Sequence, residues 1–385
     1  MNVQHPLMVK IDINNCNDIH EAYQKIKNLK LDAKIHGELI IVKYPKSIKY
    51  TDEDYILKSR GVIINFTTKS IINSSLEGCI DIDTFNCKVN DWDSIVIEEC
   101  LDGTLINLYY YNKWIVSTKF CINGEDSRFK NNKTFKELFD SVCPIDYSEL
   151  DKSYTYSFLL QHKDSRIVSP IVENKIYHIE STNNVTGEKV DINIDGIKKP
   201  QLLKYKHIVN RVNVTNMKEL VNKANNLPWC NPGYILYSID RKYRTKLENP
   251  NYTKVLNMVK DQSNLNYIIL DSIFKKKNIE ELLFYYPEYT SATVKVNNDF
   301  NTYATNLFQF YTKCKINNEF VNLEKKYKKP LCDVHNLFKD KRKNGDYSFK
   351  ITFNEVTNIL QNYDTPYLYS IISVSYTHLR AHETP

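Results

Sequence analysis

Residues 98–106 read Glu-Glu-Cys-Leu-Asp-Gly-Thr-Leu-Ile, and this stretch decides how the rest of the sequence is interpreted. The flanking residues 94–99 and 104–111 are rich in β-branched and aromatic side chains, which predicts a strand on each side. Asp102-Gly103 between them is a favoured dipeptide of tight hairpin turns. The stretch therefore predicts strand, turn and strand, although an Asp-Gly turn is too common to indicate a function alone.

Further strands and short helices extend outward from this stretch. Strand-like patterns occupy residues 38–44, 61–66, 113–120, 154–161, 166–172, 175–180 and 233–239, and helical patterns occupy residues 134–141 and 216–224. The connections between the early strands are short, which favours an antiparallel meander. The first 250 residues are therefore predicted to be α+β with a mostly antiparallel sheet.

The length and composition are those of a protein with two folded domains. The chain has 385 residues, of which 42% are hydrophobic and only 9 are glycine. Beyond residue 250 the pattern becomes helical, over residues 279–285, 300–311 and 353–360. We expect one domain over residues 1–260 and a mainly helical domain over residues 261–373.

The charge and the cysteines limit the class of protein. A formal charge of +6 permits a nucleic-acid partner without requiring one, and we interpret the lysine-rich stretches at 275–277, 325–329 and 339–343 as solvated helix faces or loops. The nine cysteines include no CxxC pair, and neither they nor the histidines have the spacing of metal ligands. No apolar signal core or membrane-length span is visible. We expect a cytoplasmic protein with reduced thiols, no membrane association and no metal site built on histidine or cysteine.

The last residues have a separate origin in our interpretation. Residues 374–384 read Val-Ser-Tyr-Thr-His-Leu-Arg-Ala-His-Glu-Thr, which resembles the translation of a sequencing adapter. We expect residues 374–385 to be adapter-derived, extended and outside any core. The natural chain is then expected to continue beyond about Ser373, and the helical domain is expected to be truncated.

Motifs in a fixed order carry a family resemblance over roughly residues 55 to 255. Ser-Arg-Gly at 59–61, the Asp-Gly stretch, and Trp-Ile-Val-Ser-Thr-Lys at 114–119 are followed by Phe-Leu and Ser-Arg-Ile-Val within 154–168, Pro-Gly-Tyr-Ile at 232–235, and Thr-Lys-Leu-Glu-Asn-Pro-Asn-Tyr at 245–252. This series resembles the nucleotidyltransferase domain of RNA ligases of the bacteriophage T4 RNA ligase 1 type. The resemblance implies an ATP-grasp-like ligase fold, ATP and Mg²⁺ as cofactors, RNA as a partner and a setting in RNA repair, also in viruses.

The resemblance also assigns residues to roles. The residues that match the family pattern are Arg60, Gly61, Arg166 and Gly233, which it places at the nucleotide, and Asp102, Gly103 and Lys246, which it places at the catalytic centre. Four positions depart from the pattern. Cys100 replaces the lysine that attacks the α-phosphate of ATP, Leu159 and Pro232 replace two glutamates, and Glu248 replaces a second lysine.

These departures predict a protein that has lost ligase chemistry. Leu159 and Pro232 cannot ligate a cation, and Glu248 places a negative charge where a lysine would neutralise a phosphate. We therefore expect a catalytically degenerate family member that binds Mg-ATP weakly or not at all and still binds RNA. Two alternatives remain open: an active RNA ligase that uses Lys113, Lys119 or the Cys100 thiol, and a purely structural interaction protein.

Overall fold

The structure is a computed structural model that describes residues 5–373 except 46, 50, 120, 129–132, 207–208, 260–263 and 275–277. The lysine run at 275–277 and the adapter-like residues 374–385 lie outside the described residues. The chain divides into two compact units, one up to Asn257 and one from Met258 onward. Each unit is described by itself below.

The first unit alternates short helices with strands. Its strands are β1 (Asp32–His36), β2 (Leu39–Lys43), β3 (Val62–Asn65), β4 (Ser70–Asn73), β5 (Ile95–Glu99), β6 (Thr104–Tyr111), β7 (Lys113–Thr118), β8 (Tyr154–Gln161), β9 (Lys175–Asn183), β10 (Lys189–Val190), β11 (Leu202–Tyr205), β12 (Val209–Asn210), β13 (Gly233–Ser238) and β14 (Arg244–Glu248). Its helices are α1 (Pro6–Ile11), α2 (Ile19–Asn28), α3 (Asp54–Leu57), α4 (Ile82–Lys88), α5 (Phe135–Asp140), α6 (Met217–Asn225) and α7 (Pro250–Val259).

The described strands form three antiparallel sheets rather than one meander. The strand orders are β1-β2-β3-β4, β10-β9-β8-β6-β7 and β12-β11-β5-β13-β14. The predicted meander is therefore wrong at Asp102-Gly103, because β5 and β6 belong to different sheets. The dipeptide instead carries the chain from one five-stranded sheet to the other, so residues 98–106 join the two sheets.

A second correction concerns residues 166–172, which were predicted to be a strand and form none. The backbone N–H groups of Val168 and Ser169 donate instead to the Asp102 carboxylate. The apolar Ile-Val pair at 167–168 resembles a strand in sequence, but its hydrogen bonds go to a side chain in place of a neighbouring strand. The segment is thus a loop fixed to the Asp-Gly connection.

Each five-stranded sheet buries one face against helices. On β10-β9-β8-β6-β7, the side chains of Ile106 and Phe158 pack on Leu138 and Phe139 of α5. That helix begins with a capping box between Thr134 and Glu137. The β12-β11-β5-β13-β14 sheet packs Ile95, Ile97, Tyr234 and Leu236 against Phe85 of α4 and Leu220 and Ala224 of α6. The opposite faces of the two sheets remain available to build a site.

The second unit is helical, as predicted. Its helices are α8 (Leu265–Phe274), α9 (Ile279–Tyr285), α10 (Thr290–Tyr311), α11 (Lys325–Lys343), α12 (Phe353–Asn362) and α13 (Thr365–Ser373). Phe300, Leu307 and Val334 are among the residues of one apolar core that α8, α10, α11, α12 and α13 share. The fold is therefore α+β with a helical C-terminal unit. None of the described helices combines the length and the apolar character that crossing a membrane requires.

Candidate active site

The two-residue period of β5 and β13 decides which side chains face the site. Ile95 and Ile97 point toward the helices, so Val96 and the following even-numbered positions point the other way. Cys100, just beyond the end of β5, packs against Val96, Ile235 and Tyr237 on that other face. Its backbone N–H donates to the carbonyl of Gly233 at 3.2 Å.

A cavity of about 770 Å³ is lined by residues from both five-stranded sheets. The predicted site residues that line it are Arg60, Cys100, Asp102, Gly103, Leu159, Pro232 and Lys246. These residues are spread over almost 190 positions of the chain. The lining does not include the predicted site residues Gly61, Arg166, Gly233 and Glu248.

Asp102 is a buried structural acceptor at the centre of this site. It is 5% exposed, and its Oδ2 accepts the N–H groups of Val168 and Ser169 at 2.9 and 2.6 Å. Its Oδ1 accepts the hydroxyl of Tyr252, in α7, at 2.7 Å. A carboxylate that satisfies two N–H donors and one O–H donor at these distances holds the connection, the loop and the helix together.

The neighbouring glycines are needed for backbone geometry. A Cβ atom on Gly103 would lie 2.5 Å from the carbonyl oxygen of Leu160, so only glycine allows the connection to approach β8 this closely. Gly233 has φ +118°, and a Cβ atom there would lie 2.1 Å from the carbonyl oxygen of Leu247. Gly61 contributes its N–H to the Val42 carbonyl at 2.9 Å, a sheet hydrogen bond.

The Cys100 thiol is poorly suited to be a nucleophile. Burial raises its pKa above the ordinary value, and Lys246 and Arg244 nearby oppose that shift without cancelling it. The thiol is the form present at neutral pH, whereas the thiolate is the reactive form. This position of Cys100 argues against covalent chemistry there.

The predicted effect of Glu248 on a bound phosphate needs correction. Glu248 shares one face of β14 with Lys246, yet its carboxylate pairs with Lys49 at 3.1 Å and lies 3.9 Å from Lys246. Because two cations neutralise it and it does not line the cavity, its repulsion of a phosphate is weaker than the sequence suggested.

Arg244 is a cavity residue that the sequence interpretation missed. It stands two positions before Lys246 on β14, so both side chains face the cavity. The Nη1 atoms of Arg244 and Arg60 both donate to the carbonyl of Glu77, at 2.9 and 3.4 Å. The buried Nε atoms of these two arginines have no hydrogen-bond partner within the described part of the chain. The alternation along β14 was the signal that could have identified Arg244.

Arg166 is not among the residues that line the cavity, although its neighbour Ile167 is. The Nε and Nη2 atoms of Arg166 donate to the carbonyl of Val168 at 3.1 and 2.8 Å. These bonds tie the guanidinium to the loop that holds Asp102, and contact of Arg166 with a nucleotide stays a prediction.

Comparisons with known proteins find RNA ligases among the similar sequences. A bifunctional polynucleotide kinase/RNA ligase of Autographa californica nuclear polyhedrosis virus is 25% identical over 267 residues, which are 62% of this chain and 37% of that protein. An RNA ligase of Rhodothermus phage RM378 is 25% identical over 226 residues, 49% of this chain and 51% of that protein.

In sequence, the chain is similar to these viral RNA ligases. It spans between about one third and one half of the length of these two relatives. No protein-family model matches it. An archaeal ATP-dependent RNA ligase structure covers 76% of this chain and 78% of its own, with 9% identity and a TM-score of 0.41, a likeness too loose to carry an argument.

The side chains that line the cavity do not form a Mg²⁺ site, because Mg²⁺ prefers oxygen ligands. Leu159 and Pro232 have no side-chain oxygen. Glu98 and Glu99 do line the cavity, but Glu98 accepts Arg241 at 2.6 Å and Glu99 accepts the N–H of Gln201 at 2.7 Å. Across the described ranges, no three His, Cys, Asp or Glu side chains are grouped as metal ligands.

The two lysines proposed as replacement nucleophiles lie in different places. Lys119 lines the cavity of the ligase relative, with its Nζ 4.7 Å from the centre of the Tyr44 ring. Lys113 is exposed at the opposite end of β7. Six positions of extended strand separate the two residues by roughly 20 Å. Lys113 is not among the residues that line the cavity.

Proposed function

We propose that this chain is a catalytically degenerate RNA ligase relative that binds a nucleotide through its phosphates without forming a covalent AMP intermediate. The observation that carries the proposal is the convergence of the Arg60 and Arg244 guanidinium groups on one carbonyl beside the cavity. Two like charges at such close quarters, each with an unused buried N–H, are stabilised by an anionic acceptor. A nucleotide phosphate is the anion that a ligase relative would bind there.

Absence of the covalent step follows from three side chains in the same cavity. Cys100 offers a protonated thiol in place of an amine, and Leu159 and Pro232 leave a metal ion without oxygen ligands. Nucleotidyl transfer depends on neutralising the charge on the transferring phosphoryl group, so the loss of these groups removes most of the rate acceleration.

The test combines a binding assay with a labelling assay. Calorimetry should detect ATP binding that is equally strong in Mg²⁺ and in EDTA and that falls at least about tenfold in Arg244→Met, the loss of one charge-assisted contact. Incubation with α-labelled ATP and Mg²⁺ followed by a denaturing gel should show no labelled protein. Lys223→Met, an exposed lysine of α6, is the matched control. Binding that requires Mg²⁺, or undiminished binding by Arg244→Met, would contradict the proposal.

An active ligase that uses Lys119 is the second candidate. The position of Lys119 on the cavity lining favours it over Lys113. It predicts labelled protein on the denaturing gel that disappears in Lys119→Met and persists in Lys113→Met. Labelling that persists in both variants would point to Cys100, and hydroxylamine and acid treatment would then separate a thiol adduct from a phosphoramidate.

A further inference from the structure

The formal charge of helix α11 equals the formal charge of the whole chain. Its 19 residues include eight lysines and arginines and two aspartates, which gives the helix a formal charge of +6. The whole chain also has a formal charge of +6, so all other residues together sum to zero. The positive excess of the chain is therefore concentrated in one element.

One face of α11 presents this charge to solvent. Lys325, Lys328, Lys339 and Lys343 are exposed, and their spacing of three, eleven and four positions places them on one side of a helix. The same side holds the exposed, uncharged Cys332 and Asn336. From its first to its last lysine this face is about 27 Å long at 1.5 Å per residue. We call these six residues the α11 basic face.

Neighbouring acids do not neutralise the face. The Asp333 carboxylate is engaged by Lys329 at 3.1 Å and by the hydroxyl of Tyr363 at 2.6 Å. Within the ranges that the structure describes, Lys325, Lys328, Lys339 and Lys343 form no ion pair. Exposed lysines at this density repel one another, so a bound polyanion would lower their electrostatic free energy.

The apolar side of α11 shows whether an anionic membrane or an RNA strand is the better partner for the α11 basic face. An anionic membrane retains an amphipathic helix by admitting its apolar face. In α11 that face consists of Tyr327, Leu331 and Val334, which are buried in the core of the helical unit. It is therefore unavailable to lipid, whereas phosphates along an RNA strand need only the charged side.

We propose that the α11 basic face binds the phosphate backbone of single-stranded RNA. The inference rests on the proposed function for the choice of RNA, and it adds a binding surface in the helical unit that is separate from the cavity in the first unit. The contacts would be to phosphates, so they position an RNA strand without reading its sequence.

The first experiment measures RNA affinity as a function of salt. The variant Lys325→Gln, Lys328→Gln, Lys339→Gln and Lys343→Gln keeps good helix formers on α11. It should lose at least about tenfold in affinity for a labelled oligonucleotide and have a salt slope shallower by about 3, at 0.7 per lost contact. The matched control replaces four exposed lysines of the first unit, Lys10, Lys163, Lys198 and Lys218, by glutamine.

The second experiment locates the RNA through two exposed cysteines. Cys332 lies on the α11 basic face and Cys87 lies on α4 of the first unit, and both are exposed and free. After labelling with a photoactivatable maleimide and irradiation, RNA should cross-link to the Cys87→Ser protein and not to the Cys332→Ser protein. The unlabelled protein provides the background.

Three results would overturn the inference. One is equal loss of RNA affinity in the α11 variant and in the control variant, which would reduce the effect to net charge. Another is cross-linking through Cys87 alone. The third is lysine-dependent binding to phosphatidylserine vesicles with no RNA binding. ATP binding by the cavity would survive each of these results, so failure of this inference is distinguishable from failure of the proposed function.

Discussion

Asp102 and Cys100 are two positions apart in the chain, and their side chains have different roles in the fold. The Asp102 carboxylate joins three segments through the N–H groups of Val168 and Ser169 and the hydroxyl of Tyr252. The side chain of Cys100 packs against Val96, Ile235 and Tyr237 and joins no segments by hydrogen bonds of the kind that Asp102 makes. The Asp-Gly connection is thus required by the fold whether or not the position before it can react with ATP.

Replacing Asp102 by asparagine should destabilise the first unit by about 3 kcal/mol. Asparagine either presents an NH₂ group to the N–H groups of Val168 and Ser169, or it flips and directs that group at Tyr252, whose hydroxyl must then accept where it now donates to a carboxylate. Equilibrium denaturation in guanidinium chloride measures the change. Tyr252→Phe removes one of the three hydrogen bonds and should cost about 1 kcal/mol. An Asp102→Asn protein as stable as the parent would show that the connection does not depend on this carboxylate.

Restoring a lysine by Cys100→Lys should not create an AMP-accepting protein. Leu159 and Pro232 would still supply no oxygen to a metal ion, and groups that act as a unit recover little when one alone is restored. Retention of labelled AMP on denatured protein should be at least about 100-fold lower than in a triple variant that adds Leu159→Glu and Pro232→Glu.

A fourth change, Glu248→Lys, tests the corrected position of this residue. Glu248 is neutralised by Lys49 and Lys246 and does not line the cavity, so the change should add little to the triple variant. Strong labelling of the single Cys100→Lys variant would mean that the site has decayed less than we infer.

Among the elements, those with a regular pattern were predicted closely. The bounds of β6, β8 and α9 agree with the sequence prediction, because long alternation and helical spacing are local properties. The pairing of β5 and β6 was predicted wrongly, since an Asp-Gly dipeptide looks the same in a hairpin and in a connection between sheets. What separates the two cases is the contact of Gly103 with Leu160, nearly 60 residues later, which no local pattern contains.

The residues of the candidate site that belong to the sequence motifs could be predicted from the sequence. Motif order placed Arg60, Cys100 and Lys246 on one cavity, although their roles remain predictions. Arg244 was missed because it lies outside the motif. The repulsion of a phosphate by Glu248 was overestimated because its partner Lys49 is 199 positions away in sequence. Side-chain neutralisation across such distances is visible only in the folded protein.

Strand β9 contains a histidine that should make stability depend on pH. His178 is 1% exposed, packs against the rings of Tyr156 and Phe158, and bonds Ser181 at 2.9 Å. Burial lowers its pKa to about 4. Between pH 6.5 and 4 the unfolded chain therefore binds a proton that the folded chain does not. The stabilising effect is complete above pH 6.5 and falls by up to about 3 kcal/mol as the pH drops through this window.

The variant His178→Gln should flatten this pH dependence. Unfolding free energies at pH 7.5 and pH 5 provide the comparison, and the difference between them should shrink in the variant. His5, whose pKa burial also lowers to about 4, should leave a residual slope. His36→Gln, at an exposed position, is the control. An unchanged slope in His178→Gln would assign the acid sensitivity to other groups.

At the scale of the whole molecule, the two units have separate apolar cores. The core of the helical unit draws on residues from Ile269 to Ile372, and the cores of the first unit draw on residues from Leu7 to Leu247. A protein that buries its apolar surface in two separate places can lose one part and keep the other.

A fragment of residues 1–259 should therefore fold by itself. All three tryptophans, Trp92, Trp114 and Trp229, lie in the first unit, so tryptophan fluorescence reports that unit alone even in the full chain. The denaturation midpoint measured by fluorescence should be the same in the fragment and in the full chain. A fragment that aggregates, or whose midpoint shifts strongly, would show that the first unit needs the helical unit for its stability.

The central place of β5 has a consequence for the synthesis of the protein. Ile97 pairs with Lys204 and with Leu236, which are 107 and 139 positions later in the chain. At 5–20 residues per second a ribosome needs roughly ten seconds to make those partners. During that interval the Ile-Val-Ile segment at 95–97 has both edges unpaired, the condition under which strands associate with other chains. The nascent first unit is therefore most exposed to aggregation before β13 emerges.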